Sequence, residues 1–140
     1  MARVGDGAGL QLGVMLAQDR VPEAIASLEQ ATATSEPEPF IELAAAYLRA
    51  NRIAKARDAA SEALRRSPGH PWAMALLGRA LILHGQGPQG LEYLQRAVAI
   101  RPRRPVVWAA LAAGFDAAGQ AGLAAQCRRE WTALTDAIRP

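Results

Sequence analysis

The chain has 140 residues, the length of one ordinary domain; 51% of them are hydrophobic, mostly alanine and leucine, and the formal net charge is +3. Valine and isoleucine are few and no run alternates apolar with polar, which argues against strands; the single cysteine, Cys127, excludes an internal disulfide and a CxxC metal signature. The longest apolar run, Val106 to Phe115, falls far short of the roughly 20 residues a membrane helix needs, and the opening residues lack the apolar core of a secretory signal, so no membrane insertion and a cytoplasmic location are expected.

Taken in order, residues 1–9 are glycine-rich and expected to form a flexible N-terminus. Residues 10–36 carry a degenerate helix pair, with Leu12-Gly13 and Leu16 on the first helix and Ala24, Leu28 and Ala31 on the second. This is the expected N-terminal capping repeat, atypical because one face meets solvent. Residues 37–70, 71–104 and 105–140 then repeat one skeleton at a spacing of 34 residues. Each first helix opens beside a proline (Pro37 and Pro39, Pro71, Pro105), a residue tolerated in the first turn because its missing N–H has no partner there. Each ends at Asn51, Gly85 or Gly119, types that accept left-handed backbone at a helix C-terminus. The second helices end at Arg65-Arg66-Ser67-Pro68 and Ile100-Arg101-Pro102, where arginine complements the helix dipole and proline stops the chain from continuing.

These positions resemble the tetratricopeptide repeat, a 34-residue helix–turn–helix unit. The middle repeat supplies Met74, Leu77, Gly78, Leu81, Gly90, Leu94, Ala97 and Pro102. The one before supplies Phe40, Leu43, Ala44, Tyr47, Ala56, Ala60, Ala63 and Pro68, and the last Trp108, Leu111, Ala112, Phe115 and Ala124. The resemblance implies an all-α fold, an α-solenoid of stacked helix-turn-helix repeats in a right-handed superhelix, built as one domain over residues 10–138. It also implies a protein–protein interaction scaffold and not an enzyme. Small residues at Ala44, Gly78 and Ala112, facing Ala56, Gly90 and Ala124, have a physical reading of their own: they let paired helices approach closely.

At about 100° per residue, Trp72, Ala75, Arg79 and Ile82 fall on the side of their helix opposite the seam. By resemblance this side lines the concave groove that holds peptides. Its equivalents are Glu38, Ile41, Ala45 and Leu48 in the preceding repeat and Val106, Ala109, Ala113 and Asp116 in the following one, with Glu42, Arg49, Leu76, Leu83 and Ala110 at the flanks. Two readings of this apolar stripe stay open: packing between neighbouring first helices, or anchoring of an apolar or amphipathic segment by Trp72, Leu76, Ile41 and Leu48, with Arg79 pairing a carboxylate or carbonyl. The chaperone-tail recognition of some family members is not expected, since Arg79 alone is basic where several Lys, Asn and Arg residues would be needed. In the last repeat Arg128 stands where Leu94 does, and Trp131 where Ala97 does. Trp131 either lids the open end of the core or docks a partner.

No cofactor, metal or catalytic residue is expected. Gly85-Gln86-Gly87-Pro88-Gln89-Gly90 fits GxGxxG by letters, but a helix precedes it where a dinucleotide fold needs a strand. His70 and His84 lack ligands at metal spacing. Arg128 and Arg129 beside Cys127 could favour its thiolate, yet no base accompanies it. Nucleic acid is not expected at Arg101, Arg103 and Arg104, since no aromatics are interleaved with them. The leading expectation is an adaptor for a protein or peptide. The alternatives are a homo-oligomer formed through the groove or the C-terminal end, and the regulatory arm of a larger enzyme.

Overall fold

The computed structural model describes residues 21–31 and 36–138. The expectations for residues 1–9, and for a first helix of the capping repeat around Leu12 to Leu16, lie outside them. Seven helices are described: α1 (Val21–Ala31), α2 (Glu38–Arg49), α3 (Ile53–Arg66), α4 (Pro71–Leu83), α5 (Gly87–Ile100), α6 (Pro105–Ala117) and α7 (Ala121–Ile138). No strand occurs among the described residues. Helices α2–α3, α4–α5 and α6–α7 pair as antiparallel hairpins, and α1 leans on α2.

The hairpin turns are three copies of one structure. Asn51, Gly85 and Gly119 take left-handed backbone, with φ of 59°, 90° and 74°. The next amide closes each turn: Arg52, Gln86 and Gln120 donate to the carbonyls of Tyr47, Leu81 and Phe115, each at 2.8 Å. This bond spans six residues and is the mark of a Schellman motif, which satisfies carbonyls that the helix end leaves bare. Prolines stand at the N-terminal positions of α2, α4, α5 and α6, where their missing N–H costs nothing.

Packing inside each hairpin follows the small residues. Ala44, Ala56, Ala112 and Ala124 are buried, as are Gly78 and Gly90 between α4 and α5. Leu43, Leu77 and Leu111 fill the seams. Between hairpins the stack is uneven. Helix α4 rests more on α3 than on α2, whereas α6 rests more on α4 than on α5. First helices touch one another along the stack, lightly between α2 and α4 and closely between α4 and α6, while the second helices α3, α5 and α7 do not pack closely on each other. The first helices therefore line the inner side of the stack.

Candidate partner-binding faces

The inner face is more closed than a single helical wheel suggests. Ile41, Leu48, Trp72, Ala75 and Leu76 are buried, Ile41 and Ala75 completely so at 0% exposure. For these side chains the burial fits packing between first helices, the first of the two readings. Ala45, Arg79, Ile82 and Ala113 are half-buried, and Arg49, Val106, Ala109 and Asp116 are exposed.

Trp72 is roofed by charge. The Arg104 guanidinium lies 5.2 Å from its ring centroid and also reaches Glu38 Oε1 at 3.4 Å. His70 Nε2 stands 3.4 Å from the same oxygen. Residues at the N-terminal ends of α2, α4 and α6 therefore form one strap across the stack. A cation over an indole contributes roughly 0.5–1 kcal/mol at an exposed site. One turn below Glu38, burial raises the carboxyl pKa of Glu42, as does Glu38 itself, with Arg104 pulling the other way. Arg79 lies on the stripe of α4 with Trp72 and Ala75. Burial lowers its pKa, and its Nε is buried without a hydrogen-bond partner. A buried donor left unmade costs about 1–3 kcal/mol, so Arg79 is held at a cost that a carbonyl or carboxylate drawn in beside its guanidinium would relieve.

The arginine cluster at 101–104 is not one patch. Arg104 joins the strap, Arg103 is exposed, and Arg101 turns to the outer side, where it lines a cleft. At the C-terminal end Arg128 pairs with Asp116. Both line a hollow of about 320 Å³ with Ala109, Ala112, Ala113 and Trp131. The structure thus brings three expected groove residues, Ala109, Ala113 and Asp116, together with Trp131. Trp131 is 42% exposed, so it covers this end only in part.

Sequence reasoning missed the outer side. Three clefts recur there, each between successive second helices and floored by the first helix of the later hairpin. The first lies between α1 and α3, the second between α3 and α5, and the third between α5 and α7, with volumes of about 480, 470 and 400 Å³. Aligning the repeats for their differences would have shown it, since positions 55, 89 and 123 read Lys, Gln, Leu and positions 59, 93 and 127 read Ala, Tyr, Cys.

Cys127 lies in the third cleft, buried. Burial pushes its thiol pKa up, against the opposite pull of Arg128, so the expected help from neighbouring arginines does not prevail. Among the described residues no three His, Cys, Asp or Glu side chains gather as a metal site requires. No helix among them is long and apolar enough to cross a membrane.

A curved stack of helical hairpins, with exposed faces and packed seams, is the architecture of repeat scaffolds for protein interaction. Residues 54–114 match the family model described as tetratricopeptide repeat, and the hairpins of this chain are similar to that repeat. Among solved structures, MamA from Desulfovibrio magneticus RS-1 is similar over 94% of this chain and 77% of its own, at 21% identity and a TM-score of 0.62. A second MamA crystal structure is similar over 89% of this chain and 74% of its own, at 16% identity and a TM-score of 0.60. A kinesin light chain from Podospora anserina with nearly identical repeats of this type is similar over 92% of this chain and 74% of its own, at 24% identity and a TM-score of 0.56. A comparison with curated proteins found no match. At these identities the likeness speaks to fold alone. Scaffolds of this repeat family are generally non-enzymatic.

Proposed function

We propose that the chain is a non-enzymatic adaptor that holds an apolar or amphipathic segment of a protein partner along the inner face, in the cytoplasm, where a lone thiol stays reduced. The observation that carries this reading is Arg79, half-buried on the inner stripe with an unpaired Nε. Ala45, Arg49, Ile82, Val106 and Ala109 supply the surface around it, and Trp72, Leu76, Ile41, Leu48 and Ala75 shape that surface from beneath. Arg79 takes a carbonyl or carboxylate of the segment, while Ile82 and Val106 take its apolar side.

The test begins with peptides selected from a random library on the wild-type protein. A hydrogen bond to a charged group contributes roughly 1.5–3 kcal/mol, so Arg79→Gln is expected to weaken those peptides by roughly 10- to 100-fold. Arg96→Gln, on the outer side, is expected to leave them unchanged. Equal affinity of wild type and Arg79→Gln, with helicity intact, would remove Arg79 and the inner face from the proposal.

A second reading rests on the C-terminal end, where Trp131 is exposed beside a hollow lined by three alanines. There the chain joins copies of itself. Light scattering over a range of concentrations is expected to show dimers that Trp131→Ala abolishes. A wild-type monomer at the highest concentration would end this reading and leave the first untouched.

A further inference from the structure

The three outer clefts share a plan but differ in filling, and the differences single out the third. In the first, the Tyr47 hydroxyl crosses from α2 to α1 and donates to Glu29 Oε2 at 2.7 Å. The Lys55 ammonium lies 5.7 Å from that ring, and Asp58 and Glu62 line the same cleft. The chain's own side chains bridge this one. In the second, Gln86, Gln89, Glu92, Tyr93 and Arg96 make the lining polar, and the Arg96 guanidinium lies 5.3 Å from the Tyr93 ring.

The third cleft lacks the tyrosine bridge of the first and the tyrosine–arginine pair of the second. Phe115 stands where Tyr47 does, without a hydroxyl to reach across. Leu123 replaces the lysine and glutamine of the other clefts, and Cys127 stands where Tyr93 does, removing a ring from the wall. Trp108 donates its one polar hydrogen to the Pro102 carbonyl at 2.8 Å, so the indole adds an apolar surface with no unmet donor. Helix α6 leans on α4 and away from α5, which leaves that side of the cleft open. Two guanidinium groups, Arg101 and Arg129, share the lining with a single carboxylate, Glu130, and two amides, Gln95 and Gln126. Neither arginine is ion-paired among the described residues. A hollow of about 400 Å³ is within the range of small-molecule sites, which combine an apolar lining with a few placed polar groups.

We propose that this third outer cleft, between α5 and α7 over Trp108 and Phe115, binds a small amphiphilic carboxylate, its chain on the apolar floor and its head between Arg101 and Arg129. The two unpaired cations against one anion set the sign of the head group. The site lies on the side opposite the proposed partner face, so either proposal can fail alone.

Decanoate, kept below its micelle concentration, is the probe, with decanol as its uncharged counterpart. The three tryptophan indole N–H signals in a ¹⁵N–¹H spectrum of the whole chain report where it sits. Decanoate is expected to shift the Trp108 signal saturably and to leave Trp72 in place. Leu123→Gln, which installs the residue of the second cleft, is expected to weaken decanoate at least tenfold. Cys127→Tyr, which fills the hollow in the same way, is expected to abolish the shift. An Arg101→Gln, Arg129→Gln double variant is expected to weaken decanoate at least tenfold and decanol less than twofold. No Trp108 shift at millimolar decanoate would overturn the proposal. So would an equal response of all three indoles, or unchanged binding by a folded Leu123→Gln variant.

Discussion

Leu94→Ala is expected to remove about 4 kcal/mol of stability. Leu94 is fully buried on α5, and its branches fill space left by glycines on two other helices. An added Cβ at Gly78 on α4 would come within 2.7 Å of Leu94 Cδ2, and one at Gly114 on α6 within 2.8 Å of the same atom. One isobutyl group therefore packs against the backbone of both neighbours. Leucine-to-alanine changes in cores cost about 2–5 kcal/mol, and the cost rises with the cavity that survives. Here the walls are helix backbone, which cannot collapse as side chains do, so the upper half of that range applies.

A domain's whole stability is about 5–15 kcal/mol, so the variant stays folded with little margin. In a stack the loss is also local, since each repeat is held only by its neighbours. Urea unfolding followed by circular dichroism is expected to show an earlier, broader transition. Hydrogen exchange is expected to rise in α6 and α7 more than in α2 and α3. A loss under about 1 kcal/mol would mean that α6 settles onto α5 when the leucine is gone, and that the glycine-lined space is soft.

Where the sequence could be read, local chemistry repeated at one spacing. Asn51, Gly85 and Gly119 were legible as left-handed helix ends because few residue types tolerate that backbone, and the structure places all three there. The seam leucines and the small residues opposite them were legible for the same reason: one periodicity shared by three repeats outweighs the ambiguity of any one helix. The inner stripe was harder. A helical wheel gives the direction of Trp72 and Leu76 but not what stands there, and for the middle helix another first helix stands on each side. One cue lay in α4 itself. Its sequence, PWAMALLGRALIL, is apolar all round save for Arg79, and a helix of that kind is packed on most of its faces, as Trp72 to Gly78, Ala80 and Leu81 are here. The outer clefts escaped for the opposite reason. They arise where repeats differ, at Leu123 and Cys127, whereas a search for recurrence rewards sameness.

Alanine at Gly90 and alanine at Gly122 are expected to act with opposite signs. Both glycines lie within helices, where replacing glycine by alanine gains up to about 1 kcal/mol of intrinsic preference. Gly122 stands in the first turn of α7, where the preference is weaker than in a helix interior; nothing lies within 4 Å of an added Cβ, so a small gain, well under about 1 kcal/mol, is expected to appear. At Gly90 the new atom would meet the Gly78 carbonyl oxygen, Ile82 Cγ1 at 2.6 Å and Ile82 N at 3.0 Å. Two of these are backbone atoms on α4, and only a shift of the whole helix relieves them. Overpacking of this kind costs about 1–3 kcal/mol, occasionally more. With the top of that range applying to rigid neighbours, a net loss of about 2 kcal/mol is expected at Gly90. The sister hairpins hold Ala56 and Ala124 at that position, facing Ala44 and Ala112, so the repeat does accept alanine at a wider spacing. What opposes widening in the middle hairpin is Leu94, one turn further along α5 and wedged against α4 and α6 together. Thermal unfolding of the two variants beside wild type separates the accounts. Propensity alone predicts gains at both sites, whereas packing predicts a gain at Gly122 and a loss at Gly90. A gain at Gly90 would mean that α5 is free to move outward, and that the contact between Gly78 and Gly90 does not fix its position.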